Sequence, residues 1–182
     1  LAGLLEGVGG ILGLRLRSVI TDGTAPIGRG IGPALEALDV LAVLSRDETA
    51  PADLAARAIS LAGAVLELTG RCPAGDGERE AFAALADGRA LRKLYSICES
   101  QGGLREPPRA AHRFTVEAAE AGTVVAIDNR KLARAAKLAG APGSKAAGAL
   151  MCVRIGDSIA KGEPLFELHA ETPGELDYAK TY

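Results

Sequence analysis

Two hydrophobic periods share this chain. Residues Leu14 to Thr21, LRLRSVIT, set Leu14 and Leu16 against Arg15 and Arg17 and close on Val19 and Ile20, the two-residue period of a strand. Asp22-Gly23 breaks it. From Ile31 the period lengthens, with Ile31, Ala34, Leu35, Leu38, Leu41 and Ala42 on one helical face and Glu36 and Asp39 together on another. The expected unit is strand, turn, helix. Pro51 suits the first turn of a second helix, whose stripe of Leu54, Ala58, Leu61, Val65 and Leu68 runs to Gly70. A third helix is expected over Glu78 to Ala86. A fourth follows Asp87-Gly88, with Leu91, Leu94, Tyr95 and Cys98 on its face, and Gln101-Gly102-Gly103 stops it.

The pattern then changes. GGLREPPRAA has two glycines, two adjacent prolines and no periodicity, the composition of a linker. Beyond it, HRFTVEA and GTVVAID read as short strands, Asn129 as the cap of the helix RKLARAAKLAG, and GAPGSKAAG as a loop. GALMCVRI and PLFELHA, joined through GDSIAKGE, supply two more strands. The predicted class is α+β, with a helical part over residues 1–101, a linker over 102–111 and a small α+β domain over 112–182. The chain opens at Leu1 on LAGLLEGVGGILG, an apolar helix-like segment with no capping residue before it, and this reads as a piece of a longer protein.

Composition removes several function classes. With 182 residues, 48% of them hydrophobic, the chain can bury a core, and Lys+Arg 21 against Asp+Glu 23 leaves a formal charge of -2. That balance lacks the basic footprint of a nucleic-acid or anionic-membrane binder. Aromatic residues make up 3% and Trp is absent, so base-stacking platforms and aromatic cages are poorly supplied. Cys72, Cys98 and Cys152 are odd in number and widely spaced, and His112 and His169 are the only histidines; neither a disulfide framework nor a zinc cluster can be drawn. No apolar run has the length of a membrane span and the first residues lack a signal-peptide pattern; a reducing cytoplasm is the expected location.

The order of the motifs carries a resemblance. TDGTAPIGRGIGPALEALDVL, the P-x-D-L helix start at Pro51 to Leu54, SQGG at Ser100 to Gly103 and GTVVAIDNRKLARAAKLAGAP…GDSIAKGEPLFELHAE resemble the pyrimidine-nucleoside phosphorylase family, and most closely its long branch of thymidine and AMP phosphorylases. The resemblance covers nearly the whole chain in the family's order. It implies transfer of a pentosyl group from a nucleoside or nucleotide to inorganic phosphate, releasing free base and sugar 1-phosphate. It also implies a homodimer, a small C-terminal domain with a barrel-like, hammerhead-type sheet, and a first half that is a remnant of an α/β catalytic domain. The family's phosphate-binding and base-binding residues lie upstream of the part matched here, and this sequence has no S-x-x-S-K segment and no lysine-bearing phosphate cradle. The chain on its own is therefore expected to be inactive. Its expected partner is the remainder of its own protein, with phosphate as co-substrate there.

The glycine-rich turn between Ile20 and Leu41 has two readings beyond a simple bend. Gly28, Gly30 and Gly32 form G-x-G-x-G, neither a dinucleotide fingerprint nor a Walker loop, and Arg29 is the only cation in it. A phosphate nest is thus set against a turn eased by glycine. The resemblance implies a third use: some family members hold a potassium ion through two backbone carbonyls of this turn and a carboxylate on the following helix, here Ile27, Gly30 and Asp39. Hard oxygen ligands suit such an ion. Asp39 departs from the longer Glu common in the family.

A rival resemblance is to biotinyl and lipoyl carriers, through GTVV…GDSIAKGEPL. Those carriers present a lysine at a hairpin tip, and neither Lys145 in GSKAA nor Lys137 on a predicted helix matches. An autonomous small-ligand module is the remaining alternative. His112 and His169 read as structural or surface histidines, Glu36 and Asp39 as solvated carboxylates, and Arg130, Lys131, Arg134 and Lys137 as a basic helix stripe suited to a domain interface.

Overall fold

Seven helices and six strands follow one another in the computed structural model, which describes residues 1–182. They are α1 (Ala2–Ile11), β1 (Gly30–Ile31), α2 (Pro33–Ser45), α3 (Ala52–Leu68), α4 (Gly77–Ala86), α5 (Arg89–Ser100), β2 (His112–Glu117), β3 (Gly122–Thr123), α6 (Asn129–Leu138), β4 (Gly148–Met151), β5 (Ser158–Ile159), β6 (Pro164–Ala170) and α7 (Pro173–Thr181). The class is α+β, and the helices expected from the 3.6-residue period are all present. Pro33 opens α2 at a position where its missing N–H is harmless. Arg46, in the left-handed conformation at φ 58°, closes that helix.

The main sheet has the order β1-β4-β6-β2, antiparallel throughout. Leu168 of β6 lies between Phe114 of β2 and Ala149 of β4, and Gly30 of β1 pairs with Leu150. β3 and β5 form a separate two-stranded ribbon. The strands expected in a barrel-like sheet are thus divided between an open sheet and this ribbon, with no closed barrel. Helices α6 and α7 pack against the sheet around Leu132, Ala135, Ala136, Ala139, Met151 and Leu168, the center of the core. Small alanines here let helix and sheet approach closely, and the longer side chains fill the space between them.

Three expectations are corrected, and one element is new. Leu14 to Thr21 is not a strand: it has no ladder partner and every one of its residues is exposed. Alternation marks a segment able to pair, but the hydrogen bonds that make a strand come from a neighbor. GTVVAID forms a strand only at Gly122–Thr123. The cap of α6 is Asp128, not Asn129; its carboxylate accepts the Arg130 and Lys131 N–H groups at 3.0 Å each, and those bonds hold its carboxyl below the usual carboxylate range. Helix α7 was not anticipated, although Thr172 and Glu175 spell a capping box, with Thr172 Oγ1 accepting the Glu175 N–H at 3.3 Å and Glu175 accepting the Thr172 N–H at 3.2 Å.

Residues 103–110 carry neither helix nor strand, in keeping with their prolines and glycines. The sheet nevertheless crosses this segment, because β1 comes from before it and β4, β6 and β2 from after it.

Candidate functional site

The turn Pro26 to Gly32 is the meeting point of α2, α3 and the sheet. It is built by carboxylates that receive backbone N–H groups. Asp39, on α2, is 3% exposed. Its Oδ2 accepts the N–H of Arg29 at 2.6 Å and of Gly30 at 2.8 Å. Its Oδ1 accepts the guanidinium of the same Arg29, from Nε at 3.1 Å and Nη2 at 2.8 Å. Asp53, in the first turn of α3, accepts the Gly28 N–H at 3.2 Å and lies 3.5 Å from Arg154 beyond β4. Glu36 accepts the Gly32 N–H at 3.0 Å and so covers the start of α2. From the other side, the Met151 N–H donates to the Arg29 carbonyl at 2.8 Å and the Ala34 N–H to the Lys145 carbonyl at 3.1 Å.

Close approach explains the glycines. A Cβ on Gly30 would run into the backbone of Leu35, and one on Gly32, at φ 130°, would strike the carbonyl oxygen of Ala147. The G-x-G-x-G spacing therefore lets one strand edge and one helix start lie against each other and against β4. It does not form a phosphate cradle. Its Arg29 and Gly30 amides are already given to Asp39 and its Arg29 guanidinium is turned inward.

Among the residues expected to hold potassium, the structure brings Gly30 and Asp39 together and leaves Ile27 half-buried at the start of the turn. The contact between Gly30 and Asp39 runs through the amide, with four N–H donors converging on the carboxylate. This donor set is that of an anion's binding site and does not fit a cation ligated by Asp39. Asp39 is also not the solvated carboxylate expected from its sequence neighborhood. Leu35, Asp39 and Val43 are all buried, so the carboxylate interrupts the apolar face of α2, and that four-residue spacing was the available signal. Asp53 and Arg154 were missed too. Asp53 stands in the P-x-D-L helix start, but nothing in the sequence ties it to Gly28, 25 residues away.

The remaining titratable groups form no second center. No three His, Cys, Asp or Glu residues gather at metal-binding distance. His169 is buried on β6 with Nε2 3.2 Å from Glu167, and its burial pushes the imidazole below its ordinary 6.5 while Glu167 opposes the change. Burial pushes the Cys72 and Cys152 thiols up, away from the thiolate form a nucleophile needs. Lys145 donates to the Pro142 carbonyl at 3.1 Å, and Lys137 lies in the last turn of α6, so neither lysine sits at a hairpin tip. An apolar cleft of about 630 Å³ opens between α6 and the sheet, walled by Val116, Ile127, Leu132, Met151 and Phe166, with Lys131 and Lys180 among its polar lining.

Residues 123–181 match the family model of the pyrimidine nucleoside phosphorylase C-terminal domain. A "Putative thymidine phosphorylase" of Polaromonas sp. (strain JS666 / ATCC BAA-500) is 63% identical over 179 residues, 98% of this chain and 35% of that protein. A protein of the same name from Chelativorans sp. (strain BNC1) is 57% identical over 182 residues, 100% of this chain and 36% of its own length. Another, from Legionella pneumophila (strain Paris), is 53% identical over 176 residues, 97% of this chain and 34% of its own. The chain thus spans about a third of the length of these curated relatives. The resemblance carried by the glycine-rich turn and by GTVVAID…GDSIAKGEPLFELHAE is shown by these matches, and residues 123–181 belong to the pyrimidine nucleoside phosphorylase C-terminal domain family.

Proposed function

We propose that this chain is the carboxy-terminal part of a thymidine or AMP phosphorylase, where it braces the domains that carry catalysis. The observation behind the reading is the buried Asp39 turn, which ties α2 and α3 to the sheet bearing the matched C-terminal domain. Phosphorolysis needs cationic and N–H donors free to meet the attacking phosphate and a group to stabilize charge on the departing base. In this turn Asp39 already holds the guanidinium and the Arg29 and Gly30 amides, which suits a structural brace. In the full-length protein, phosphate is the co-substrate, a nucleoside or nucleotide the pentosyl donor, and the assembly a cytoplasmic homodimer.

Exposed apolar residues on α1 and after it, including Leu4, Leu5, Val8 and Ile11, supply a surface for the rest of that protein. The carrier alternative would rest on Lys145 or Lys137, and neither sits at a hairpin tip; the intact mass of purified protein, without a biotinyl or lipoyl increment, would dispose of it. The small-ligand alternative draws on the cleft beside α6, whose apolar walls suit neither phosphate nor a polar nucleoside.

The test is an assay of thymidine, uridine and AMP in phosphate buffer. The 182-residue chain should release no free base above a no-protein blank, while the full-length protein should release base and sugar 1-phosphate. Turnover by the isolated chain, or none by the full-length protein on any of the three, would overturn the proposal.

A further inference from the structure

Asp39 is a buried carboxylate on the apolar face of α2, and such a charge has to be matched where it sits. Two kinds of positive charge could do this at a backbone turn: a bound monovalent ion shared with carbonyl oxygens, or a side chain of the turn itself. Here it is the side chain. Arg29 donates to Asp39 through its own amide, its Nε and its Nη2, and Gly30 adds a fourth N–H. Two donors at each oxygen use the acceptor capacity of the carboxylate. The fork of the guanidinium reaches Oδ1 from Nε and Nη2 while the backbone of the same residue reaches Oδ2, a closed arrangement that leaves an ion no place on Asp39. The Arg29 carbonyl, which a glycine-rich turn could otherwise aim at an ion, accepts the Met151 N–H.

We propose that Arg29 is a built-in counter-ion that takes the place of a monovalent cation at this turn, so that the protein keeps the turn docked on the sheet without potassium. The inference rests on the phosphorylase reading only for the choice of full-length protein. Thermal unfolding requires no turnover, so each can fail without the other.

The experiment measures unfolding midpoints of the full-length protein in potassium, sodium and tetramethylammonium chloride at one ionic strength. For the unmodified protein the three midpoints should agree to about 1 °C, since an ion that does not bind the folded state cannot shift it. For Arg29→Ala the midpoint should fall in tetramethylammonium and recover by about 3 °C or more in potassium, which would now find a buried carboxylate without its partner. A potassium-specific rise in the unmodified protein would overturn the proposal, as would an Arg29→Ala variant that unfolds identically in all three salts. Should Arg29→Ala fail to fold, thallium(I) binding to the unmodified protein, followed by thallium NMR, decides. No saturable binding is expected, and saturable binding abolished in Asp39→Asn would refute the counter-ion role.

Discussion

Ile11 and Ile20 are 86% and 90% exposed in the first region of the chain, whereas Ala149 and Leu168 of the C-terminal sheet are 0% and 2% exposed. Apolar content does not separate these regions; partners do. Helix α6 lays an alanine-rich side, and α7 its Leu176 and Ala179, on a sheet that is already paired. Helix α1 and the segment after it offer leucines, valines and isoleucines to no such surface, held to the rest by polar contacts such as Arg17 to Glu67 at 2.7 Å. A helix draws most of its stability from the face it buries, so the same kind of sequence gives a fixed core in one place and an exposed patch in the other. The turn at Arg29 belongs by sequence to the first region and by hydrogen bonding to the second.

That comparison can be broken at the turn first. Asp39→Ala strands the Arg29 guanidinium and two amides beside a buried gap and should cost about 3–5 kcal/mol. Urea unfolding would measure it, and a loss near zero would mean the turn is not part of the cooperative fold. Core truncation sharpens the contrast between the regions. Leu168→Ala should cost about 2–5 kcal/mol, and Leu4→Ala on α1 about 0.5 kcal/mol or less in the isolated chain. Equal losses would show that α1 is packed after all.

A smaller effect follows acid. His169 has its folded pKa lowered by burial, so the unfolded chain takes up the proton first. The stability it supports is complete above the ordinary imidazole value of 6.5 and is lost as pH falls from there through the lowered folded value. Unfolding midpoints should decline over that window, and His169→Gln should flatten the decline. An unchanged pH profile in the variant would assign the acid sensitivity elsewhere.

The helices were legible because their period was long and their stops were glycines and prolines: α3 ran from Pro51 toward Gly70 as read, and α5 stopped before Gly102. Strand-forming residues were legible only as candidates. Leu14 to Thr21 had the better alternation, yet Gly30 and Ile31, two residues with no alternation to show, became the edge strand because β4 was there to pair with them. The carboxylates of the turn illustrate the same limit. Glu36 and Asp39 looked equivalent at helical spacing, but one is exposed while capping Gly32 and the other is buried under Arg29. Burial of a charge depends on what folds over it, and here that is the turn at Arg29 and Gly30, folded back onto α2 and itself held in place by the pairing of Gly30 with Leu150.

The central claim, that the Arg29 turn joins the first region to the C-terminal sheet, is tested most directly by cutting the chain and asking whether the pieces part. Limited proteolysis should cleave between Gly102 and Ala111, where the chain has no helix or strand. The nicked protein, passed over a native sizing column and identified by mass, should elute as one species containing both pieces, because β1 remains paired with β4 and Asp39 remains beneath the turn. A folded piece beginning near Ala111 that elutes alone, with the first region lost or aggregated, would contradict the account.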